Sequence, residues 1–201
     1  GHGEARQRQL VVLEEQADLL VRSGQWDAAR AACAKCMTLA EELGARVAVG
    51  GAHVRLAAVA EATGDPQMAA DELQAALEVF TGLDDKARMA TVLSQMAAAA
   101  RRANRLDDAL AHYSRAQELA EQDGKPLAAA QTLVLMAQVC QQQGNSQEAK
   151  AHLQRAIGLL HERKAKPQLM AAEMMLAELH LLGKSLSEAR AHAEAARSAA
   201  E

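Results

Sequence analysis

Residues 93–116 read LSQMAAAARRANRLDDALAHYSRA, and the same pattern of small, apolar and turn-forming residues returns at 133–156, LVLMAQVCQQQGNSQEAKAHLQRA. Each half of the stretch has apolar residues three and four positions apart, which is the spacing of one face of an α-helix. Asn104 separates the halves in the first copy and Gly144 separates them in the second. The stretch therefore predicts two helices joined by a tight turn.

The pattern extends over the whole chain, because three positions hold a small residue in every copy of the repeat. They are Ala17, Ala57, Ala97, Ala137 and Ala177, then Ala29, Ala69, Ala109, Ala149 and Ala189, then Cys36, Ala76, Ala116, Ala156 and Ala196. A bulkier fourth position reads Gln16, Leu56, Met96, Met136 and Leu176. Small side chains let two helices approach closely, and stacked hairpins bury faces that one hairpin leaves open. We predict an all-α solenoid of about five antiparallel helix pairs, without a sheet, in which the small positions are buried.

The helix ends have signals of their own. Asp65-Pro66 reads as an N-cap followed by a proline in the first turn. Asn145 with Glu148, and Ser185 with Glu188, have the spacing of a capping box. These signals place a helix start soon after each turn.

The chain is expected to hold one domain. We assign residues 1–9 as a lead-in to the first helix and residues 10–201 as a single array, with repeats at about 10–49, 50–89, 90–129, 130–169 and 170–201. The opening Gly1-His2-Gly3-Glu4 has neither an initiator methionine nor a secretory signal. We therefore expect the chain to be part of a longer protein.

Composition excludes several classes of function. The net charge is -4 and the pI is about 6.0, so a general affinity for nucleic acid is not expected. No apolar stretch reaches the ~20 residues of a membrane span. Cys33 and Cys36 form a C-x-x-C that could serve a redox or zinc site, but the repeat places both in core columns. We expect buried free thiols in a cytoplasmic protein.

Two stretches carry a resemblance to a known family. They are residues 24–29, GQWDAA, with Cys33 and Cys36 after them, and residues 104–109, NRLDDA, followed by Tyr113 and Ala116. Both resemble the turn and second helix of the tetratricopeptide repeat, although Pro66 and Ser146 depart from its bulky position after the turn. The resemblance covers residues 10–200. The usual period of the family is about 34 residues, and the longer period of this chain, from Ala17 to Ala57, is similar to that of kinesin light chains and bacterial signalling regulators.

The resemblance implies a right-handed superhelical solenoid whose first helices line a concave groove. It implies a non-enzymatic scaffold for protein–protein interaction, without a cofactor, that binds a peptide or helix of a protein partner. The groove residues it assigns are Glu14, Asp18, Val54, Arg55, Ser94, Gln95, Arg101, Gln138, Gln141, Met174 and Glu178. Some members of the family grip a C-terminal carboxylate with paired Lys, Asn and Arg residues. Glu14, Asp18 and Arg55 stand at the matching places, so a receptor for chaperone tails is not expected.

Other interpretations stay open. The chain could be the ligand- or peptide-sensing domain of a larger bacterial regulator or signalling ATPase. The final helix, residues 187–201, could act as a cap or mediate self-association. His112, His152 and His192 recur at the same position of three repeats, but we expect no metal site because the first two repeats carry Ala32 and Glu72 there. Glu188 and His192 lie on one helix face and are expected to form a surface hydrogen bond.

Overall fold

The structure is a computed structural model that describes residues 2–183 and 185–200, with only the backbone of His2. Within these residues the chain forms ten α-helices and no strand, which confirms the predicted fold class. They are α1 (His2–Arg22), α2 (Trp26–Glu42), α3 (Arg46–Ala62), α4 (Pro66–Thr81), α5 (Lys86–Arg102), α6 (Leu106–Gln122), α7 (Pro126–Gln142), α8 (Ser146–Glu162), α9 (Lys166–Leu182) and α10 (Leu186–Ala200). Odd-numbered helices are the first helices of the pairs and even-numbered helices are the second. Since α1 begins at His2, the described part of the predicted lead-in already belongs to the first helix.

Left-handed turn residues end eight of the helices. A positive φ recurs at even intervals along the chain, at Gly24, Gly44, Gly64, Asp84, Asn104, Gly124, Gly144 and Lys164. Glycine, Asn and Asp enter this region at low cost. Lys164 is the costly exception, because its Cβ crowds the backbone at a φ of 53°. The regular spacing makes the two helices of a pair almost equal in length.

The chain divides within α5 into two compact units, Gly1–Gln95 and Met96–Glu201. In the first unit α3 packs against α1, α2 and α4, and α1 also packs against α2. In the second unit α7 packs against α6 and α8, and α9 packs against α8 and α10. These helices therefore pack against helices one or two places away along the chain, as expected of a repeat protein.

The small-residue columns form the helix crossings. Each of their fifteen members is 6% exposed or less, from Ala17 at 0% to Ala177 at 6%. In the second unit the columns continue into an apolar cluster that includes Tyr113, Leu133, Leu153 and Leu176. The prediction that these columns are buried is confirmed. The bulkier column is less regular, because Gln16 is exposed whereas Leu176 is fully buried.

Two of the helix-start signals stand at the N-caps of α4 and α8, but only the first makes its capping hydrogen bond. The Asp65 Oδ1 accepts a hydrogen bond of 3.0 Å from the Met68 amide. Asn145 makes no side-chain capping bond; its amide Nδ2 instead lies 3.4 Å from Gln143 Oε1. Its predicted capping-box partner, Glu148, faces the Cys140 thiol at 3.9 Å. In the described residues, no helix is long and apolar enough to cross a membrane.

Candidate partner-binding faces

The predicted groove residues of the first unit lie on α1, α3 and α5, and three of them form an ion-pair cluster. Arg55 donates from Nε to Asp18 Oδ1 at 2.6 Å and from Nη2 to Asp18 Oδ2 at 3.2 Å. Its Nη1 lies 3.9 Å from Glu14 Oε1. The Arg55 side chain is only 16% exposed. Burial alone would lower its pKa, but the hydrogen bonds and charge of Asp18, with Glu14, outweigh burial and raise the pKa. Arg55 is therefore bonded within the protein, because α3 brings it onto α1.

A concavity of about 240 Å³ lies beside this cluster. Its lining consists of Asp18, Gly51, Val54, Arg55, Phe80, Arg88 and Thr91. Phe80 and Arg88 were missed by the sequence analysis, and Arg88 lies 5.9 Å above the centre of the Phe80 ring. The sequence feature that could have indicated Phe80 is Gly50-Gly51. Both glycines lie inside α3 rather than at a junction between repeats. A Cβ on Gly50 would stand 2.6 Å from the Phe80 ring, so glycine there permits the close packing.

Ser94 and Gln95 add little exposed polarity to the first unit. The Ser94 hydroxyl donates to the Ala90 carbonyl at 2.8 Å within its own helix. Both residues are half-buried. Val54, by contrast, lines the concavity directly. Of the predicted residues in this unit, Asp18 is the exposed one and the others are half-buried.

In the second unit Arg101 is also engaged. Its Nη1 donates to Gln138 Oε1 at 3.0 Å, which joins the end of α5 to α7. Both side chains are half-buried, and Gln141 on the next turn of α7 is exposed. Burial raises the pKa of the nearby Tyr113, while the charges of Arg101 and Arg102 lower it in part. The Arg101 guanidinium is thus bonded to a neighbouring helix of the same unit.

A larger hollow of about 350 Å³ lies between α9 and α10. Its lining consists of Met170, Met174, Ala177, Glu178, Leu181, Ala193, Ala196 and Arg197. The predicted residues Met174 and Glu178 both lie in it, and Met174 is 50% exposed. Ala193 and Arg197 were missed, because α10 was interpreted as a cap or an association surface without a cavity.

The histidines pair differently from the sequence expectation. His192 Nδ1 lies 2.6 Å from Oε2 of Glu173, which is 5% exposed, so the predicted Glu188–His192 bond is wrong. Glu188 lies 3.6 Å from His180 Nδ1 instead. The His180 and His192 rings stack at 5.3 Å between centroids. Across the described residues, no three His, Cys, Asp or Glu side chains come together in an arrangement that could hold a metal ion.

The cysteines are free and buried. Burial raises the pKa of the Cys33 thiol to about 11, and Arg55 lowers it in part. Burial raises the pKa of Cys36 as well. A thiol held protonated in this way is a poor nucleophile and a poor metal ligand.

Known proteins share this architecture. The family model described as tetratricopeptide repeat matches residues 48–122 and 88–162, which together make up more than half of the chain. No curated protein sequence matches the chain.

Three solved structures show how far the likeness extends. The crystal structure of BtubC (BKLC) from P. vanneervenii has a TM-score of 0.83 at 18% identity, over 98% of this chain and 86% of that one. The apo form of RapI has a TM-score of 0.82 at 12% identity, over 93% of this chain and 52% of that one. A signal transduction ATPase with numerous domains, PH0952 from Pyrococcus horikoshii, has a tetratricopeptide repeat sensor. It gives a TM-score of 0.80 at 13% identity, over 94% of this chain and 30% of that one. At these identities the likeness shows the fold alone.

Proposed function

Because the chain belongs to the tetratricopeptide repeat family, we propose that it holds a peptide or helix of a partner protein against the faces of its first helices. The family relationship supports the general role of a protein-interaction scaffold. The family resemblance also supports the choice of face, since first helices are expected to line the groove of such arrays.

The single observation that carries the proposal is the character of the exposed side chains on the first helices. Beside charged residues such as Asp18 and Glu178, they include small, amide-bearing and apolar ones, namely Ala58, Thr91, Gln131, Gln141 and Met174. The arginines of the same faces, Arg55 and Arg101, already donate hydrogen bonds to Asp18 and Gln138. Glutamine offers both donors and acceptors to a peptide backbone, and methionine adapts to irregular apolar groups.

The uncharged side chains favour recognition through the partner's backbone and apolar groups. A partner need not be acidic, because the engaged arginines would have to leave existing bonds to meet it. Reversing Arg55 is also an unsuitable test of binding, since it would leave Asp18 and Glu14 beside a third carboxylate and destabilise the first unit.

The test uses matched pairs of exposed positions. Ala58→Arg on α3 and Gln131→Arg on α7 place a bulky cation on the first helices. Ala111→Arg on α6 and Gln154→Arg on α8 make the same changes on second helices, where the residues are equally exposed. Partners are captured by the wild-type chain from cells of its source and identified by mass spectrometry, and their affinities are then measured by calorimetry.

We expect the two first-helix variants to lose most of the binding and the two second-helix variants to keep it. All four should unfold at the wild-type urea concentration, because exposed substitutions change stability little. Loss of binding in the second-helix variants alone would move the partner to the other side of the array.

A second candidate is the sensing domain of a larger regulator. It is favoured by the P. horikoshii protein, whose repeats form a sensor and of which this chain spans 30%. A nucleotide-binding or helix-turn-helix segment in the flanking gene sequence would support it. The same binding faces would then report a ligand to that segment.

A further inference from the structure

The junction between α8 and α9 holds a polar contact at a place where the preceding junction is apolar. His180 of α9 is 9% exposed and occupies the position of the fully buried Cys140 on α7. Lys150 of α8 occupies the position of Leu110 on α6, which packs against the apolar cluster that includes Cys140. The Lys150 Nζ lies 3.5 Å from the His180 Nδ1. An ammonium and an imidazole therefore meet here in place of uncharged side chains.

Charged and titratable groups face His180 from both α8 and α10. From α8 comes the Lys150 ammonium. From α10 come the Glu188 carboxylate, whose Oε2 lies 3.6 Å from the same Nδ1, and the His192 ring, which stacks at 5.3 Å between centroids. On α9 itself, Glu173 is bonded to His192 at 2.6 Å. Among the described residues the other ring nitrogen of His180, Nε2, is buried and finds no hydrogen-bond partner, so Nδ1 is the atom through which this side chain bonds.

The protonation state of His180 decides which partner Nδ1 can bind. In a neutral imidazole the nitrogen without a hydrogen accepts, so Nδ1 can take a hydrogen bond from Lys150. An imidazolium donates from both nitrogens, so Nδ1 can then bond only to the carboxylate of Glu188, whose side chain is 58% exposed and has room to turn toward the ring. The Lys150 ammonium repels the imidazolium, and such repulsion is strong where water is largely excluded. Proton uptake thus moves the bond of His180 from α8 to α10.

We propose that the junction between α8 and α9 is an acid-sensitive joint of the array. When His180 takes up a proton at Nδ1, it exchanges its contact with Lys150 for one with Glu188, and α9 separates from α8. The fifth pair itself holds together, because α9 packs more extensively on α10 than on α8 and the Glu173–His192 bond joins the two helices. The joint lies between helices within the chain, so it needs neither a partner protein nor the proposed binding faces.

The surroundings of His180 set the direction of the pH dependence. Burial and the Lys150 charge together lower the pKa of His180 in the closed junction. Separation from α8 removes both effects, so the open junction binds the proton more tightly than the closed one does. The junction is therefore closed above about pH 6.5, the ordinary pKa of a histidine, and opens as the pH falls below that value.

A buried thiol placed at the junction reports its opening. Ala172→Cys puts one at a fully buried position of α9, within the apolar cluster that α9 shares with α7 and α8. Its reaction with a dithiodipyridine reagent is followed at about pH 7.5 and about pH 5.5 by mass spectrometry, which separates it from the three native cysteines. Each rate is divided by the rate of the same thiol in the urea-unfolded chain at the same pH, which removes the pH dependence of the reagent.

The normalised rate of the introduced thiol should rise about tenfold between these pH values. That factor is set by a histidine that binds a proton with a pKa of about 6.5 in the open junction and resists it in the closed one. The rates at Cys33 and Cys36, which lie in the first unit, should stay constant.

Second substitutions in the Ala172→Cys chain assign the response. Lys150→Leu removes the repelling ammonium and His180→Ala removes the titrating ring, so each should abolish the rise. Glu188→Gln should reduce it, because the protonated ring then lacks its new partner. His152→Gln is the matched control, since His152 is a half-buried histidine of α8, and it should leave the rise unchanged.

Five results would overturn the proposal. They are no rise at the introduced thiol, an equal rise at all four thiols, a rise that survives both Lys150→Leu and His180→Ala, a rise that Glu188→Gln leaves intact, and a rise that His152→Gln abolishes. The second would indicate a general loosening of the fold, and the last would assign the response to another histidine. Circular dichroism checks the folding of each variant. If Lys150→Leu or His180→Ala fails to fold, the other decides, because each removes one member of the repelling pair.

Discussion

Single residues set how closely the helices approach each other. In the three small-residue columns the alanine side chains are buried where neighbouring helices pack together, as at Ala97 and Ala109. Gly50 allows a still closer approach, because Phe80 of α4 occupies the space that a Cβ would take. Phe80 is itself 2% exposed and has little room to move.

This close approach predicts opposite effects for two Gly→Ala changes. Gly50→Ala should destabilise the chain by about 1–3 kcal/mol through overpacking against Phe80. Gly158→Ala should stabilise it by about 0.5–1 kcal/mol, because Gly158 lies within α8 with nothing within 4 Å of the added methyl group. Urea unfolding followed by circular dichroism measures both. An equal gain in stability in the two variants would show that Phe80 does not restrict position 50.

The cysteines predict a second result at this scale. Cys33 and Cys36 are fully buried and their pKa values are raised by burial. Since the thiolate is the reactive form, both should react with a thiol reagent at least about a hundredfold more slowly in the native chain than in urea. The rates are measured by stopped flow, from the absorbance of the thiolate that the reagent releases when it reacts with a cysteine. Rapid labelling of the native chain would contradict the burial of these residues.

At the scale of the helix pair, one contact recurs with its partners exchanged. In the second pair His53 of α3 lies 2.7 Å from Glu72 of α4. In the fifth pair Glu173 of α9 occupies the place of His53, and His192 of α10 occupies that of Glu72, at 2.6 Å. The second and fifth pairs thus share a histidine–carboxylate contact between their two helices, with the residue types exchanged.

The fifth pair should also respond to pH through His180. Burial lowers the pKa of His180, Lys150 of α8 and His192 of α10 lower it further, and Glu188 raises it in part. A free histidine takes up a proton near pH 6.5, so the unfolded chain binds protons that the folded one resists. The contribution of His180 to stability is therefore complete above about pH 6.5 and is lost as the pH falls below it.

His180→Gln should reduce this loss. The free energy of unfolding, measured in urea at about pH 7.5 and about pH 5.5, should fall less in the variant than in the wild type. His161→Gln is the control, because His161 is exposed on α8. If the two variants lose stability with pH as much as the wild type does, His180 is not the responsible group.

At the scale of the whole molecule, the helices that pack together within a unit are close to each other along the chain. The main helix contacts of the described residues join helices one or two places apart, as between α1 and α3 or α8 and α9. In an architecture of this kind the stability of a segment depends mainly on its neighbours. A mutation should therefore act locally.

Hydrogen exchange followed by mass spectrometry tests this locality. Gly50→Ala should accelerate exchange most in α3 and α4. Ala149→Leu should do so most in α7 and α8, because Ala149 is fully buried there. An even rise of exchange from α1 to α10 would instead indicate a single cooperative unit.

Much of the fold could be predicted from the sequence alone. Local periodicity predicts the positions of the turns, the helical segments and the burial of the small-residue columns. The same periodicity recurs in every copy of the repeat. Met174 and Glu178 were assigned to the groove through the family resemblance, and both are exposed. Family likeness supplied the expected role of that face.

Only the tertiary structure decided which side chains meet across helices. Arg55 bonds to Asp18 of another helix, and neither helix alone indicates this contact because it depends on the offset between the stacked helices. The same offset between stacked helices places Arg101 beside Gln138. The sequence by itself determined the repeating unit, since helix formation and burial depend on spacing within a segment. The binding surface depends on the displacement between segments, and that displacement is set by how all the side chains at a crossing pack together.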